Sequence, residues 1–325
     1  MEDRILEVKD LKTYFTITKG DVKAVDGVSF YLNKGESIGL VGESGCGKTT
    51  TALSVIQLLP PEGRVAGGEI IFDGKDITHI SDDELRSIRW KDISMIFQGA
   101  MNALNPVQTV ADQIAEAILI HEKVTKKDAM DRVKELFELV ELNPAMMHRY
   151  PHEFSGGMRQ RAIIAMALAC NPKLIIGDEP TTALDVMVQA QIIDLINSLR
   201  KKLNMSMIII THDLSIITEV CDRVAVMYAG KIVEMGKTDE VVKNPKHPYT
   251  KRLISSFPNI YKERVMVKSI PGNPPDLFEP PAGCRFAERC HMSPTEKCFT
   301  CEPLLVDENG DLHFAACHLR REANE

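Results

Sequence analysis

The stretch GESGCGKT, Gly42–Thr49, decides how this 325-residue chain is read. It fits the phosphate-loop pattern G-x-x-x-x-G-K-[ST]. SIGLVG precedes it as a short buried strand, and TTALSVIQLL follows as a helix, which is the context that pattern requires. Glycines let the backbone bend so that several N–H groups face one anion, and the helix start adds partial positive charge. Lys48 is placed to reach the β and γ phosphates of a nucleotide, and Thr49 to offer its hydroxyl to Mg²⁺. The loop residues Gly42, Ser44, Gly45, Cys46 and Gly47, with Thr50 beyond, are the candidate phosphate contacts. Cys46 enters through its backbone N–H, its thiol being incidental.

Working outward, ILEVKDLKTYF and AVDGVSFYL read as strands, with Gly20–Asp21 as turn material between them. GGEIIFDG is a strand bounded by glycines, Ser81 and Glu84 form a capping box before SDDELRSIR, and ISMIFQ is a strand. From about Gly99 to Asn171 the texture is helical. VADQIAEAILI is amphipathic, and KKDAMDRVKELFELVEL carries Met130, Val133, Phe137 and Val140 on one core-facing stripe. Strands return as KLIIGD, SMIIIT and RVAVMYAGKIVEMG, with the helix VMVQAQIIDLINSLRKKL between the first two. Strands alternating with helices imply an α/β fold with a parallel sheet covered by helices. Beyond Asn244 the chain turns proline-rich and then cysteine-rich. No internal repeat or low-complexity tract is visible.

Other groups gather where the strands end. KLIIGDEP delivers Asp178 and Glu179 to the end of a buried strand, the edge at which α/β folds bind ligands. Asp178 is placed for the Mg²⁺ shell. Glu179 is placed to polarise a water for in-line attack on the γ-phosphorus. Capping of the next helix is the plainer use of such acids. Gln98 ends ISMIFQ, where it would meet the Mg²⁺ or the attacking water, and His212 ends MIIITHD, where it would meet the γ-phosphate. In FSGGMRQR, Phe154–Arg161, Ser155 is a cap and Gly156–Gly157 offer backbone to an anion. Taken alone, that segment is an ordinary capped helix start.

In order and spacing, GESGCGKT, Gln98, FSGGMRQ, LIIGDEP, Ala183–Asp185 and His212 closely resemble the nucleotide-binding subunit of ABC transporters, over roughly residues 4–245. The resemblance implies an ATPase working as a head-to-tail dimer. Ser155, Gly156 and Gly157 of one subunit would meet the γ-phosphate held by the other, with Asp185 also at the nucleotide. It implies an adenine-stacking aromatic at Tyr14–Phe15, with Phe15 favoured over Tyr14 and strand core as the plain alternative. The implied organisation is a P-loop core over residues 1–98 and 172–245, a helical signature subdomain over 99–171, and a small extension over 246–325.

SGGM, DEPTTALD, NPKHPYTKRLISSFP and the tail resemble the oligopeptide/dipeptide importer branch. That implies two transmembrane permease subunits, a second, sister ATPase subunit, and an extracytoplasmic solute-binding protein reached indirectly. Oligosaccharide or nickel import and a soluble non-transport ATPase are the alternatives. In the tail, Cys284, Cys290, Cys298 and Cys317 align with the four ligands of a [4Fe–4S] cluster held by some members, and Cys301 is extra. From chemistry alone, four thiolates mean an iron–sulfur cluster or Zn²⁺, with His291, His313 and His318 keeping a mixed zinc site open. The group would act as a structural staple for a module too small to bury much core. After Gln98, GAMNALNP departs from the branch's acidic residue and proline, and Gly177 replaces a more usual alanine.

The bulk properties agree with this reading. Hydrophobic residues make up 44% and the formal charge is −7, which argues against nucleic acid as the main partner. MEDRILEVKD carries charges where a signal peptide would be apolar, and the longest apolar run is AIIAMALAC, Ala162–Cys170. A membrane span needs about 20 such residues. The expected place is the cytoplasmic face of the membrane, where disulfides are disfavoured.

Overall fold

The computed structural model describes residues 3–99, 103–182, 184–256, 270–307 and 309–320. In chain order its strands and α-helices are β1 (Arg4–Ile17), β2 (Gly20–Asn33), β3 (Ser37–Val41), α1 (Lys48–Val55), β4 (Gly63–Phe72), β5 (Lys75–Asp76), α2 (Asp82–Ile88), β6 (Ile93–Ile96), α3 (Val110–His121), α4 (Lys126–Leu139), α5 (Gly156–Ala167), β7 (Leu174–Asp178), α6 (Val186–Leu203), β8 (Ser206–Ile210), α7 (Leu214–Val220), β9 (Arg223–Tyr228), β10 (Lys231–Lys237), α8 (Thr238–Lys243), α9 (Pro248–Ser255), α10 (Glu296–Thr300) and β11 (Phe314–Ala315). They fall into two compact units.

One unit comprises Met1–Leu6, Leu32–Ser37 and Phe72–Ile210. Its sheet is parallel: Ile93 of β6 pairs Leu174 of β7, and Asp178 of β7 pairs Ile210 of β8. Every residue of β7 and β8 is buried. That is why LIIGD and SMIII read as unbroken apolar runs rather than alternating ones. Helices α3, α4 and α5 pack on one another. Ile114 and Ile118 of α3 and Val133, Leu136 and Phe137 of α4 are fully buried or nearly so. Met130 is only half-buried, so Ala129 and Leu136 carry part of the stripe expected of it. Thr109 caps α3, Thr125 and Asp128 form a capping box on α4, and the expected box of Ser81 and Glu84 opens α2.

The other unit comprises Glu7–Tyr31, Ile38–Ile71 and Thr211–Glu325. In it β1 lies between β2 and β4. The β1–β2 turn is Thr18–Lys19, and Gly20, expected in the turn, is the first residue of β2. Here β3 runs parallel to β9, with Ile38 opposite Arg223. RVAVMYAGKIVEMG is not one strand but two. Ala229 (φ +48°) and Gly230 (φ +81°) turn the chain, and β9 and β10 pair antiparallel with Tyr228 opposite Lys231. Left-handed conformation at both central residues is what a tight two-residue hairpin needs. A two-residue link also cannot make a parallel crossover, so the sheet in this unit is mixed where an all-parallel one was expected. The C-terminal β11 adds to β10 with Ala315 opposite Glu234.

Glu234 ties the tail to that strand. Its carboxylate is fully buried and accepts from the Lys246 N–H (2.6 Å), the His247 N–H (2.8 Å) and Nε2 of His313 (2.7 Å). Burial alone would raise its pKa, but the hydrogen bonds from His313 and the backbone outweigh that and hold it low. Among the described residues no helix is long and apolar enough to cross a membrane.

Candidate functional site

The phosphate loop is shaped by glycines that no other residue replaces. Gly42 (φ +152°) passes so close to Met227 that a Cβ would sit 2.2 Å from its carbonyl oxygen. Gly47 (φ +101°) would put one 2.4 Å from the Ala24 carbonyl oxygen. Those obstacles are backbone and cannot swing aside. Gly47 is also the N-cap of α1 and makes no side-chain cap, so the first N–H groups of the helix are not consumed by one. Lys48 is buried and its ammonium donates to the carbonyls of Gly42 (2.8 Å) and Glu43 (3.0 Å). Thr49 is exposed and Thr50 half-buried in the first turn, while Ser44 and Gly45 are exposed at the loop tip. The Cys46 thiol is buried, which pushes its pKa up.

Glu43 is held through both its side chain and its backbone. Its carboxylate takes both Nη groups of Arg289, at 2.7 and 2.9 Å, and its N–H donates to the Tyr249 hydroxyl at 2.9 Å. No local pattern in the sequence marks Arg289 or its pairing with Glu43.

Of the two adjacent aromatics, Tyr14 is anchored, its hydroxyl donating 2.8 Å to Asp26, which Arg285 also binds. Burial, and then the hydrogen bond to that carboxylate, raise the Tyr14 pKa to about 12. Phe15 is half-buried and lies against Gly63 at the start of β4, where a Cβ would come within 2.9 Å of its ring. His212 is exposed just past β8.

In the other unit, β7 carries Asp178 to its end and buries it. Glu179 follows in the left-handed region at φ +48°, which for a glutamate marks backbone held against its preference. Its N–H donates to Ile210 at 2.8 Å. Its carboxylate accepts from Gln98 Nε2 (2.8 Å) and Thr182 Oγ1 (3.0 Å). Gln98 and Glu179, 81 positions apart in the chain, thus meet directly at the end of β7. Ser155 caps α5, accepting from the Met158 N–H at 3.3 Å, and Gly156 and Gly157 begin the helix. Gln160 of α5 donates 2.6 Å to the Pro180 carbonyl, tying this helix to the loop after Glu179. Asp185 is used locally as the N-cap of α6, accepting from Met187 and Val188 at 3.1 and 3.0 Å. Ala183 and the Ala100–Asn102 part of the divergent GAMNALNP segment lie outside the described residues.

In the tail, Cys284, Cys290, Cys298, Cys317 and His318 line one small cavity, closed by Phe286, Pro248, Pro294 and Leu319. Burial pushes the Cys284 thiol up to about 11, and the other three cysteines add to it as like charges. Cys301 is exposed, with its sulfur toward the Glu302 carbonyl. His313 is committed to Glu234, and His291 is exposed. Among the described residues, no three His, Cys, Asp or Glu groups stand arranged to hold a metal ion.

The ABC transporter family model matches residues 25–182, and the model of the oligopeptide/dipeptide transporter C-terminal region matches residues 233–298. The dipeptide transport ATP-binding protein DppD of Bacillus subtilis is 47% identical over 328 residues, covering 99% of this chain and 97% of that protein. This chain belongs to the ABC transporter ATP-binding subunits, in their oligopeptide/dipeptide branch. The oligopeptide transport ATP-binding protein OppD of Escherichia coli is 45% identical, covering 93% and 90%. Among solved structures, the cassette MJ0796 as a dimer bound to ADP and Pi matches with a TM-score of 0.65 at 26% identity, covering 72% of this chain and 98% of that one. The cassette cbiO1 of Clostridium perfringens matches with a TM-score of 0.66 at 28% identity, covering 75% and 92%. As a member of this family the chain is an ATPase.

Proposed function

We propose that this chain is the motor subunit of a di- or oligopeptide importer, working at the cytoplasmic face of the membrane. Similarity along nearly the whole length to the dipeptide transport protein, tail included, carries the reading. Its partners are a sister ATPase in a head-to-tail dimer and two membrane permeases, with a solute-binding protein upstream. The working division is a core over 1–98 and 172–245, a helical region over 99–171 that transmits motion, and the extension over 246–325.

The roles follow from chemistry. Ser44, Gly45, Cys46, Gly47 and Thr50 cradle phosphates beside Gly42, and Lys48 takes the β and γ oxygens. Thr49 and Asp178 hold Mg²⁺. Glu179 polarises the attacking water, with Gln98 orienting it or the metal, and His212 steadies the γ-phosphate. Phe15 stacks on adenine. Ser155, Gly156 and Gly157 serve the nucleotide of the partner subunit, and Asp185 also belongs to the nucleotide site.

The four cysteines fit a [4Fe–4S] cluster by donor chemistry, and their sharing of one apolar-walled cavity supports that reading; Zn²⁺ is the alternative. Such a group supplies cross-linking of a loop-rich module. Closing on it requires the four sulfurs to draw together from where they now stand. Iron, sulfide and zinc content of protein purified without oxygen decides the matter: about four irons per chain supports the cluster, zinc alone replaces it, and no metal removes both.

Glu179→Gln tests the catalytic reading. Steady-state hydrolysis by the assembled transporter should fall about 10²–10⁴-fold, the usual worth of a general base. An ATP-bound dimer should accumulate. A near-normal rate would sink the assignment. Stimulation of that hydrolysis by binding protein loaded with peptide, and not with oligosaccharide or nickel, tests the solute.

A further inference from the structure

Arg289 lies in the tail, 246 positions after Glu43, beyond the stretch that matches the ABC transporter model. All five of its N–H groups are engaged. Two reach the Glu43 carboxylate as a fork, a third the Tyr228 hydroxyl at 3.0 Å, and the others the carbonyls of Pro271 (2.9 Å) and Ile270 (3.2 Å). Its side chain is 5% exposed. The guanidinium also stands 5.6 Å from the Tyr228 ring, which packs with Tyr249 and Phe286 at 4.7 and 5.2 Å between ring centres. Phe286 and Arg289 both sit between Cys284 and Cys290.

Glu43 is consequently fixed at three points: its carboxylate by Arg289, its N–H by Tyr249, its carbonyl by Lys48. It is the second residue of the loop expected to hold a polyanion. An unpaired carboxylate there would repel phosphates, more strongly than in bulk water because Glu43 is only partly exposed. A planar bidentate arginine both cancels that charge and fixes its direction, which a lysine does not.

We propose that Arg289 is a positioning residue for nucleotide binding: it neutralises and orients Glu43, so that the tail segment Cys284–Cys290 sets the shape and charge of the phosphate loop. The inference rests on the phosphate loop being the ATP site. It gives the extension a task inside the motor, separate from any metal it carries.

The test is the Kd of the full-length chain for a fluorescent ATP analogue with Mg²⁺, alongside the thermal midpoint without nucleotide. Arg289→Met should weaken binding about 10- to 100-fold, the worth of a charge-assisted pair. Arg289→Lys, which keeps the charge but loses the fork, should fall in between and guards against a folding failure in the first variant. Glu43→Gln combined with Arg289→Met removes the stranded charge and should recover most of the affinity. A purely structural arginine would show no such recovery, only a lower midpoint in both. Binding within twofold of the parent in a folded Arg289→Met protein, or a double variant as weak as the single, overturns the proposal. Lys48→Ala separates the two layers. If it binds like the parent, the phosphate-loop reading itself fails. If it loses binding while Arg289→Met does not, only the role of Arg289 falls.

Discussion

Two glycine-bearing turns open helices in this chain, and they are built in opposite ways. At Gly42–Thr49 the glycines take positive φ, backbone carbonyls forbid any Cβ at two of them, and no side chain caps the helix. At Ser155–Gly157 the serine caps the helix, and neither glycine has a positive φ. Gly157 is needed small only because a Cβ would come within 2.7 Å of a methyl of Val188. The first turn has the uncapped, glycine-bent backbone that an anion cradle needs. The second is a sound helix start, and under the proposed dimer it becomes an anion site only with what the partner brings. A motif can thus be complete in one chain or be half of a site, and local structure tells which.

The largest expected effect lies in the first turn. Gly42→Ala forces a Cβ onto a backbone carbonyl at a φ that alanine rarely takes, a strain of a few kcal/mol. Nucleotide affinity should drop by about 100-fold or more, a fold-change that such a strain converts to. Equilibrium binding with the fluorescent analogue checks it. Retained affinity would mean that the loop's shape is not what binds ATP, and the contrast between the turns would collapse.

Much of this was legible beforehand. GESGCGKT could be read because its chemistry is backbone chemistry set by glycines at fixed spacing. β7 and β8 could be read because strands buried on both faces are unbroken apolar runs. The Ala229–Gly230 hairpin was missed, though a small residue and glycine between apolar runs was the available signal. Arg289 was missed for another reason: its partner is 246 residues away, and no periodicity or local pattern links them. Asp185 shows the converse. Its place in the motif suggested a nucleotide contact, while its carboxylate is seen capping α6.

The next effect is in the second turn and needs the partner. Aspartate caps helices as well as serine does, so Ser155→Asp should leave the thermal midpoint of the isolated chain unchanged. In the assembled dimer it brings a negative charge to the γ-phosphate, and like charges at contact cost several kcal/mol. Turnover by the complete transporter should then fall about 100-fold or more. Normal turnover would show that this turn never meets a nucleotide.

The smallest effect sharpens the same contrast from the stability side. Ser155→Ala removes the cap and leaves the Met158 N–H without the acceptor it has at 3.3 Å. The cost is about 1 kcal/mol of stability, seen as a small shift in a denaturation midpoint. If capping were the serine's only task, hydrolysis per folded transporter would be unaffected. If its hydroxyl also faces the γ-phosphate across the dimer, turnover should fall further than the lost stability accounts for, while nucleotide affinity of the isolated chain stays as it was. If the phosphate loop is the ATP site, it should show no such separation, because there a single backbone shape would serve both binding and catalysis. The ratio of turnover loss to stability loss, compared between Ser155→Ala and Gly42→Ala, therefore measures how much of each turn belongs to its own chain and how much to the partner.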